Sequence, residues 1–227
     1  MKNHKKAILW DLDGTLWDAC ETVRDVWNEV CRARGIDRVF RAEEYRGWCG
    51  MLLSDIAAAA FPKADRAWRE DLIFDLCDAE CIPLAQRGGQ LFPEETEILE
   101  RLHAEYFMAV VSNCGDNYIE AFFTGNRTGQ YFDDYEYAVR TGRCKGENIR
   151  LVLERNGIEQ AVYIGDTILD CQAAREAGVP FIHAAYGFGQ APDAKLRAEQ
   201  FCQLPDLIRT ALGQGPGDGG YSVLGFR

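Results

Sequence analysis

The chain has 227 residues, with 36 Asp and Glu against 25 Lys and Arg, and a formal charge of −11. This balance, with no basic run beyond Lys5-Lys6, argues against a nucleic-acid scaffold and against an anionic membrane surface as partners. Hydrophobic residues at 47% and charged residues at 27% exclude wholesale disorder.

The first apolar run, residues 7–10, is too short for a signal-peptide core and reads as a buried strand. Helical patterns follow without a convincing strand. Residues 19–34 form one, stopped by Gly35, and 41–48 and 54–60 are shorter, with Pro62 ending the second. In 65–80, Trp68, Leu72 and Leu76 recur at four-residue steps and predict one apolar stripe. Residues 18–87 therefore read as a small helical domain, joined through 17–19 and 86–90. Strand and helix then alternate. Pro93 opens a helix with Ile98, Leu99 and Leu102 at core spacing. Apolar runs at 107–111, 137–139, 161–164 and 180–183 predict further strands. A helix from Lys145 carries Ile149, Val152 and Leu153 on one face and stops at Gly157; another spans 169–177 and stops at Gly178. The alternation implies an α/β core with a parallel sheet, over 1–17 and 88–212. The Gly-rich segment 213–227 is expected to be a flexible tail.

No apolar run approaches the roughly 18 residues of a membrane-spanning helix. The nine cysteines are odd in number and contain no Cys-x-x-Cys motif, and His4, His103 and His183 do not lie near them at zinc-site spacing. Reduced, mostly buried thiols and a cytoplasmic location are the expectation.

Four motifs sit at strand ends. Asp11-Leu12-Asp13-Gly14-Thr15 follows the first strand, and alternation points both carboxylates the same way. Such a pair calls for a proton or a cation between its members, although Asp-x-Asp-Gly also suits an ordinary turn. Ser112-Asn113 ends the second strand and offers a hydroxyl and a free backbone N–H, or else a helix cap. Lys145 opens a helix, where it either compensates acids or sits in solvent. Gly165-Asp166-Thr167 ends another strand, with Asp170 at the following helix start. Together these deliver four acids, one cation and a hydroxyl to one sheet edge. Oxygen-only ligation of this kind selects Mg²⁺ over zinc, and the set suits metal-assisted phosphoryl transfer.

The ordered set Asp11-Leu12-Asp13-Gly14-Thr15-Leu16, Ser112-Asn113, Lys145 and Gly165-Asp166-Thr167-x-x-Asp170 resembles the haloacid-dehalogenase-like superfamily over roughly residues 7–189, nearest to its phosphoglycolate-phosphatase-like hydrolases. The resemblance implies a Rossmann-like three-layer α/β core with an inserted all-helical cap, and a monomer or weak homodimer. It implies a phosphatase acting on a small soluble phosphate monoester through an aspartyl-phosphate. Asp11 is then the nucleophile and Asp13 the acid and base. Ser112 and the amide of Asn113 hold phosphoryl oxygens, and Lys145 offsets their charge. Mg²⁺ is held by Asp11, the Asp13 carbonyl and Asp166, with Asp170 direct or through water. The cap loop 46–52 overlooks the site, with Arg46 placed to meet an anion and Trp48 and Met51 to give apolar contact. Two residues depart from the common pattern: Gly146 stands where many relatives have Pro, and Trp17 where smaller apolar residues are usual. Cys114 and Cys144 adjoin the second and third motifs, and one of them is expected to be accessible and oxidisable. A phosphomutase with the same nucleophile and a non-catalytic phosphate-binding protein are the rival readings. A dehalogenase has no need of Asp13, and a receiver domain carries its Asp on a middle strand in a shorter chain.

Overall fold

A computed structural model describes residues 5–214. In chain order the elements are β1 (Lys6–Trp10), α1 (Cys20–Ala33), α2 (Ala42–Arg46), α3 (Leu53–Ala60), α4 (Arg66–Arg87), α5 (Glu95–Glu105), β2 (Phe107–Ser112), α6 (Tyr118–Gly125), β3 (Asp134–Tyr137), α7 (Ala138–Thr141), α8 (Lys145–Arg155), β4 (Gln160–Gly165), α9 (Ile168–Ala177), β5 (Phe181–Ala184), β6 (Leu196–Ala198) and α10 (Leu204–Ala211). All strand pairs are parallel, in the order β3-β2-β1-β4-β5-β6. The fold is of the expected α/β class. The Gly-rich tail lies, beyond Gln214, outside the described residues.

β1 is central, and Ala7 to Trp10 are all fully buried. A strand covered on both faces has no polar positions to spare, which is why it reads as a continuous apolar run. Its alternation divides the core in two. Ile8 and Trp10 join the larger cluster, where Trp10 stacks on Phe201 at 5.8 Å. Leu9 faces Ile149 and Val152 of α8 and Ala173 and Ala174 of α9.

Between β1 and α5 the described chain forms four helices and no strand. It leaves and returns through one point, because Asp18 and Gln90 exchange backbone N–H···O bonds of 2.8 and 2.9 Å. α4 buries Leu72, Ile73, Leu76, Cys77 and Leu84. Trp68 departs from the predicted stripe. It sits in the first turn, 44% exposed, and touches Phe61 edge-on at 5.5 Å. The helix also outruns its expected end at Glu80 and passes through Pro83 to Arg87. Pro83 forgoes one helical bond, but Leu84 beyond it is fully buried and tertiary packing overrides propensity.

The strand expected at 137–139 lies at 134–137, and a short helix starts at Ala138. This strand ends the sheet and carries charge: Arg155 binds Asp134 at 2.7 Å and Glu136 at 2.6 Å. An edge strand needs no apolar run, so apolarity misplaced it. The three-residue β6 is likewise too short to announce itself. The helix expected from Pro93 begins at Glu95.

Candidate active site

β2, β1 and β4 are neighbours, with Trp10 in register with Val110 on one side and Ile164 on the other. Their carboxyl ends therefore bring Ser112, Asp11 and Asp166 to one edge. The strand order reverses between β1 and β4, the point where parallel α/β sheets open a crevice. Gly14 makes the turn after Asp11 possible. Its φ is +76°, and a Cβ there would lie 2.5 Å from Asp166 Oδ2.

Carboxylate oxygens of Asp11, Asp166 and Asp170 all lie within 4.8 Å of one another, and all three residues are buried. Lys145, 4% exposed, donates to Asp11 Oδ1 at 2.8 Å and Asp170 Oδ1 at 2.6 Å. Burial alone would discharge this ammonium; Asp11 and Asp170 outweigh it and raise its pKa above the ordinary lysine value. Asp11 is pushed up to about 6, by burial first and then by Asp170, with Lys145 pulling the other way. Asp170 also takes bonds from Thr167 N at 3.0 Å and Thr167 Oγ1 at 2.6 Å, which caps α9 and fixes the carboxylate. Asp166 Oδ2 accepts the amides of Phe188 and Gly189 at 2.8 and 3.0 Å. Its Oδ1 is buried without a partner. Burial, then Asp170 and Asp11, hold Asp166 well above the ordinary carboxylate range. An orphaned oxygen costs about 1–3 kcal/mol, and an all-oxygen cluster of three acids fits a hard divalent cation that would satisfy it.

Asp13 lies apart from that cluster. Its Oδ1 accepts from Trp17 Nε1 at 3.0 Å and Tyr118 Oη at 2.9 Å. Burial pushes its carboxyl up to about 7, against those two donors. Such a group exchanges protons readily near neutral pH. Trp17 thus both packs, edge-on to Tyr118 and Phe122 at 5.4 and 5.1 Å, and orients Asp13. Tyr45 reaches Tyr118 at 3.5 Å between hydroxyls. Above Asp13 is a cavity of about 30 Å³ with Ser112 and Asn113 on the sheet side and Tyr45 and Glu80 on the helical side.

The structure brings Asp11, Asp13, Ser112, Asn113, Lys145, Asp166 and Asp170 to this edge. It turns Arg46 and Trp48 to other contacts. Arg46 donates to Asp18 at 3.0 Å, and Trp48 meets Phe40 edge-on at 6.1 Å; neither lines the cavity, whereas Met51 does. Gly146 has a local cause: a Cβ there would lie 3.1 Å from the Ala173 carbonyl and 2.8 Å from Glu176 Oε2, so α8 and α9 need the glycine to approach. Seven cysteines are buried, Cys114 among them, while Cys144 and Cys202 are exposed and all nine are free. Sequence reasoning passed over Tyr118, Glu80 and the amides at 188–189. For the amides, Gly187-Phe188-Gly189 after a strand was an available signal; Tyr118 and Glu80 sit on helices that only packing brings to the site.

The family model for haloacid dehalogenase-like hydrolases matches residues 8–184. A phosphoglycolate phosphatase of Rhodobacter capsulatus is 29% identical over 216 residues, 89% of this chain and 96% of the relative. One from Rhodospirillum rubrum is 27% identical over 220 residues, 89% and 90% of the two chains. Among solved structures, a haloacid dehalogenase-like hydrolase from Streptococcus pneumoniae superposes with a TM-score of 0.75 at 22% identity, covering 90% of this chain and 98% of its own. With the strand-end acids and lysine in place and the family model spanning most of the chain, this protein belongs to the haloacid dehalogenase-like hydrolase family.

Proposed function

We propose that the chain is a Mg²⁺-dependent phosphatase that hydrolyses a small soluble phosphate monoester. The observation that carries this reading is Asp11, buried at the end of the central strand, 2.8 Å from Lys145 and within the three-acid cluster.

Asp11 attacks phosphorus in line, the bond from phosphorus to the leaving oxygen breaks, and an aspartyl-phosphate forms. Asp13 gives its proton to the leaving oxygen; Oδ1 is engaged by Trp17 and Tyr118, which leaves Oδ2 for the transfer. Asp13 then takes a proton from the water that attacks the aspartyl-phosphate, releasing inorganic phosphate and restoring Asp11. Such proton handling contributes about 10²–10⁴-fold. Ser112 and the amide of Asn113 hold phosphoryl oxygens, and Lys145 keeps Asp11 oriented while offsetting charge. Asp11, the Asp13 carbonyl and Asp166 would hold Mg²⁺, with Asp170 adding charge; when bound, the ion neutralises the phosphoryl group. The helices of 18–87 act as the cap over the cavity. The free cysteines support a cytoplasmic location, and a monomer or weak homodimer is the assembly we propose.

The test is phosphate release by the purified protein with Mg²⁺ over sugar phosphates, nucleotides and phosphoglycolate, the last because the relatives bear its name. Steady release from at least one ester is expected. No release from any ester, or phosphate returned to the organic product, would overturn the reading, the second outcome in favour of a mutase.

A further inference from the structure

The reading above leaves the alcohol part of the ester open, and the walls of the cavity bear on it. Its sheet side contributes Asp13 and Asn113, and the helical side contributes Tyr45 and Glu80. Among the described residues, no lysine or arginine lines it. Arg46, the cation of the neighbouring loop, is committed to Asp18 at 3.0 Å and lies over the Phe188 ring.

Glu80 is 2% exposed and sits on α4, a scaffold element with no need of an acid in its buried face. Trp27 Nε1 donates to its Oε2. That bond occupies Oε2, and Glu80 lines the cavity. Asn113 is in a similar position. Its Nδ2 donates to the Gly50 carbonyl at 2.8 Å, and its Oδ1 is buried without a partner among the described residues. The cavity wall therefore holds an amide oxygen with no partner and a buried carboxyl, and no lysine or arginine among the described residues.

We infer that this cavity, through Glu80 and Asn113, selects phosphate esters whose alcohol carries hydrogen-bond donors and no negative charge, and disfavours esters of carboxylate-bearing alcohols. The inference rests on the phosphatase reading and names its substrate class. A hydroxyl donates to Asn113 Oδ1 and can still accept a bond, so it meets Glu80 in either protonation state. A carboxylate offers acceptors alone. It would set its charge against Asn113 Oδ1, with no lysine or arginine among the described residues on this wall to repay the lost hydration. Burial holds Glu80 well above the ordinary carboxylate range, so it has one proton to give, which leaves Asn113 unserved by an anion.

Two size-matched pairs test this: glycerol 3-phosphate against 3-phosphoglycerate, and 2-hydroxyethyl phosphate against 2-phosphoglycolate. We expect kcat/KM to favour the hydroxyl member of each pair by about tenfold or more, the scale on which a polar subsite discriminates. Glu80→Gln keeps a donor and an acceptor and preserves the ratio. Glu80→Lys supplies the missing cation and lowers the ratio by about tenfold or more. Where a lysine beside Trp27 prevents folding, Glu80→Met replaces it, and the ratio falls as the hydroxyl member loses one of its two partners. Equal or faster turnover of the carboxylate members by the unaltered protein overturns the inference, as does a ratio unmoved in a folded Lys or Met variant. No turnover of any of these esters, nor of the wider panel, overturns the phosphatase reading and this inference with it.

Discussion

Replacing Lys145 by Met keeps most of the side-chain stem and deletes the charge that bridges Asp11 and Asp170. Both contacts, at 2.8 and 2.6 Å, are buried on each side, with no more than 4% of any of the three side chains exposed. Removing one partner of a buried pair costs about 3–5 kcal/mol, because the remaining charges stay desolvated. That is a large share of the roughly 5–15 kcal/mol that holds a domain together. The cost depends on pH. Asp11 binds its proton more tightly folded than unfolded, so its contribution to stability falls as pH rises from 3.8 through about 6. Lys145 is one of the groups restraining that rise, and without it Asp11 moves higher still. Near pH 8 the variant must ionise Asp11 beside two acids or retain a proton, and the full loss is expected. Near pH 5 Asp11 is largely protonated in the unaltered protein, its charge no longer calls for Lys145, and the cost drops to about half. Urea unfolding followed by tryptophan fluorescence, in excess EDTA to exclude divalent ions, measures both values. A loss below about 1 kcal/mol near pH 8, or one as large near pH 5, would refute the bridging role.

Further outcomes follow from the same geometry. Asp11→Asn preserves volume, so turnover falls by at least about 10³-fold while the protein stays folded; measurable hydrolysis by a preparation free of contaminating phosphatase removes Asp11 as nucleophile. Excess EDTA abolishes phosphate release, and Mg²⁺ at about a hundred times its dissociation constant adds about 2.7 kcal/mol of stability; if neither happens, the acid cluster is not a metal site. Tyr118→Phe deletes the 2.9 Å bond on Asp13 Oδ1, a bond that favours the ionised form. The basic limb of the kcat/KM profile, where Asp13 must still hold its proton, then moves up by about one pH unit, and a downward shift contradicts the role of Asp13. Iodoacetamide labels Cys144 in the folded protein and leaves Cys114 untouched, as their exposure dictates; the reverse order refutes this.

The sheet and its edge were legible early because covered parallel strands are apolar throughout. Residues 7–10 and 161–164 stood out for that reason, and acids placed directly after such runs must share one edge. The edge strand at 134–137 was misplaced because it pairs its acids with Arg155 and so lacks an apolar run. Trp68 escaped because four-residue spacing records which face a residue occupies and carries no information on where the partner surface stops.

The division of labour at the site has the same origin. Asp11, Asp13, Lys145, Asp166 and Asp170 each follow a strand or open a helix, so local sequence order was enough to name them and the chemistry they suit. That Asp13 rests on Trp17 and Tyr118, that Arg46 is spent on Asp18, and that Glu80 and Asn113 line one cavity are matters of packing. These contacts join residues up to 105 positions apart, as from Asp13 to Tyr118. Sequence spacing reports the face of an element on which a side chain lies. Only the tertiary fold decides what stands opposite, and the environment opposite sets both the proton affinity of a buried acid and the charge of the alcohol it admits.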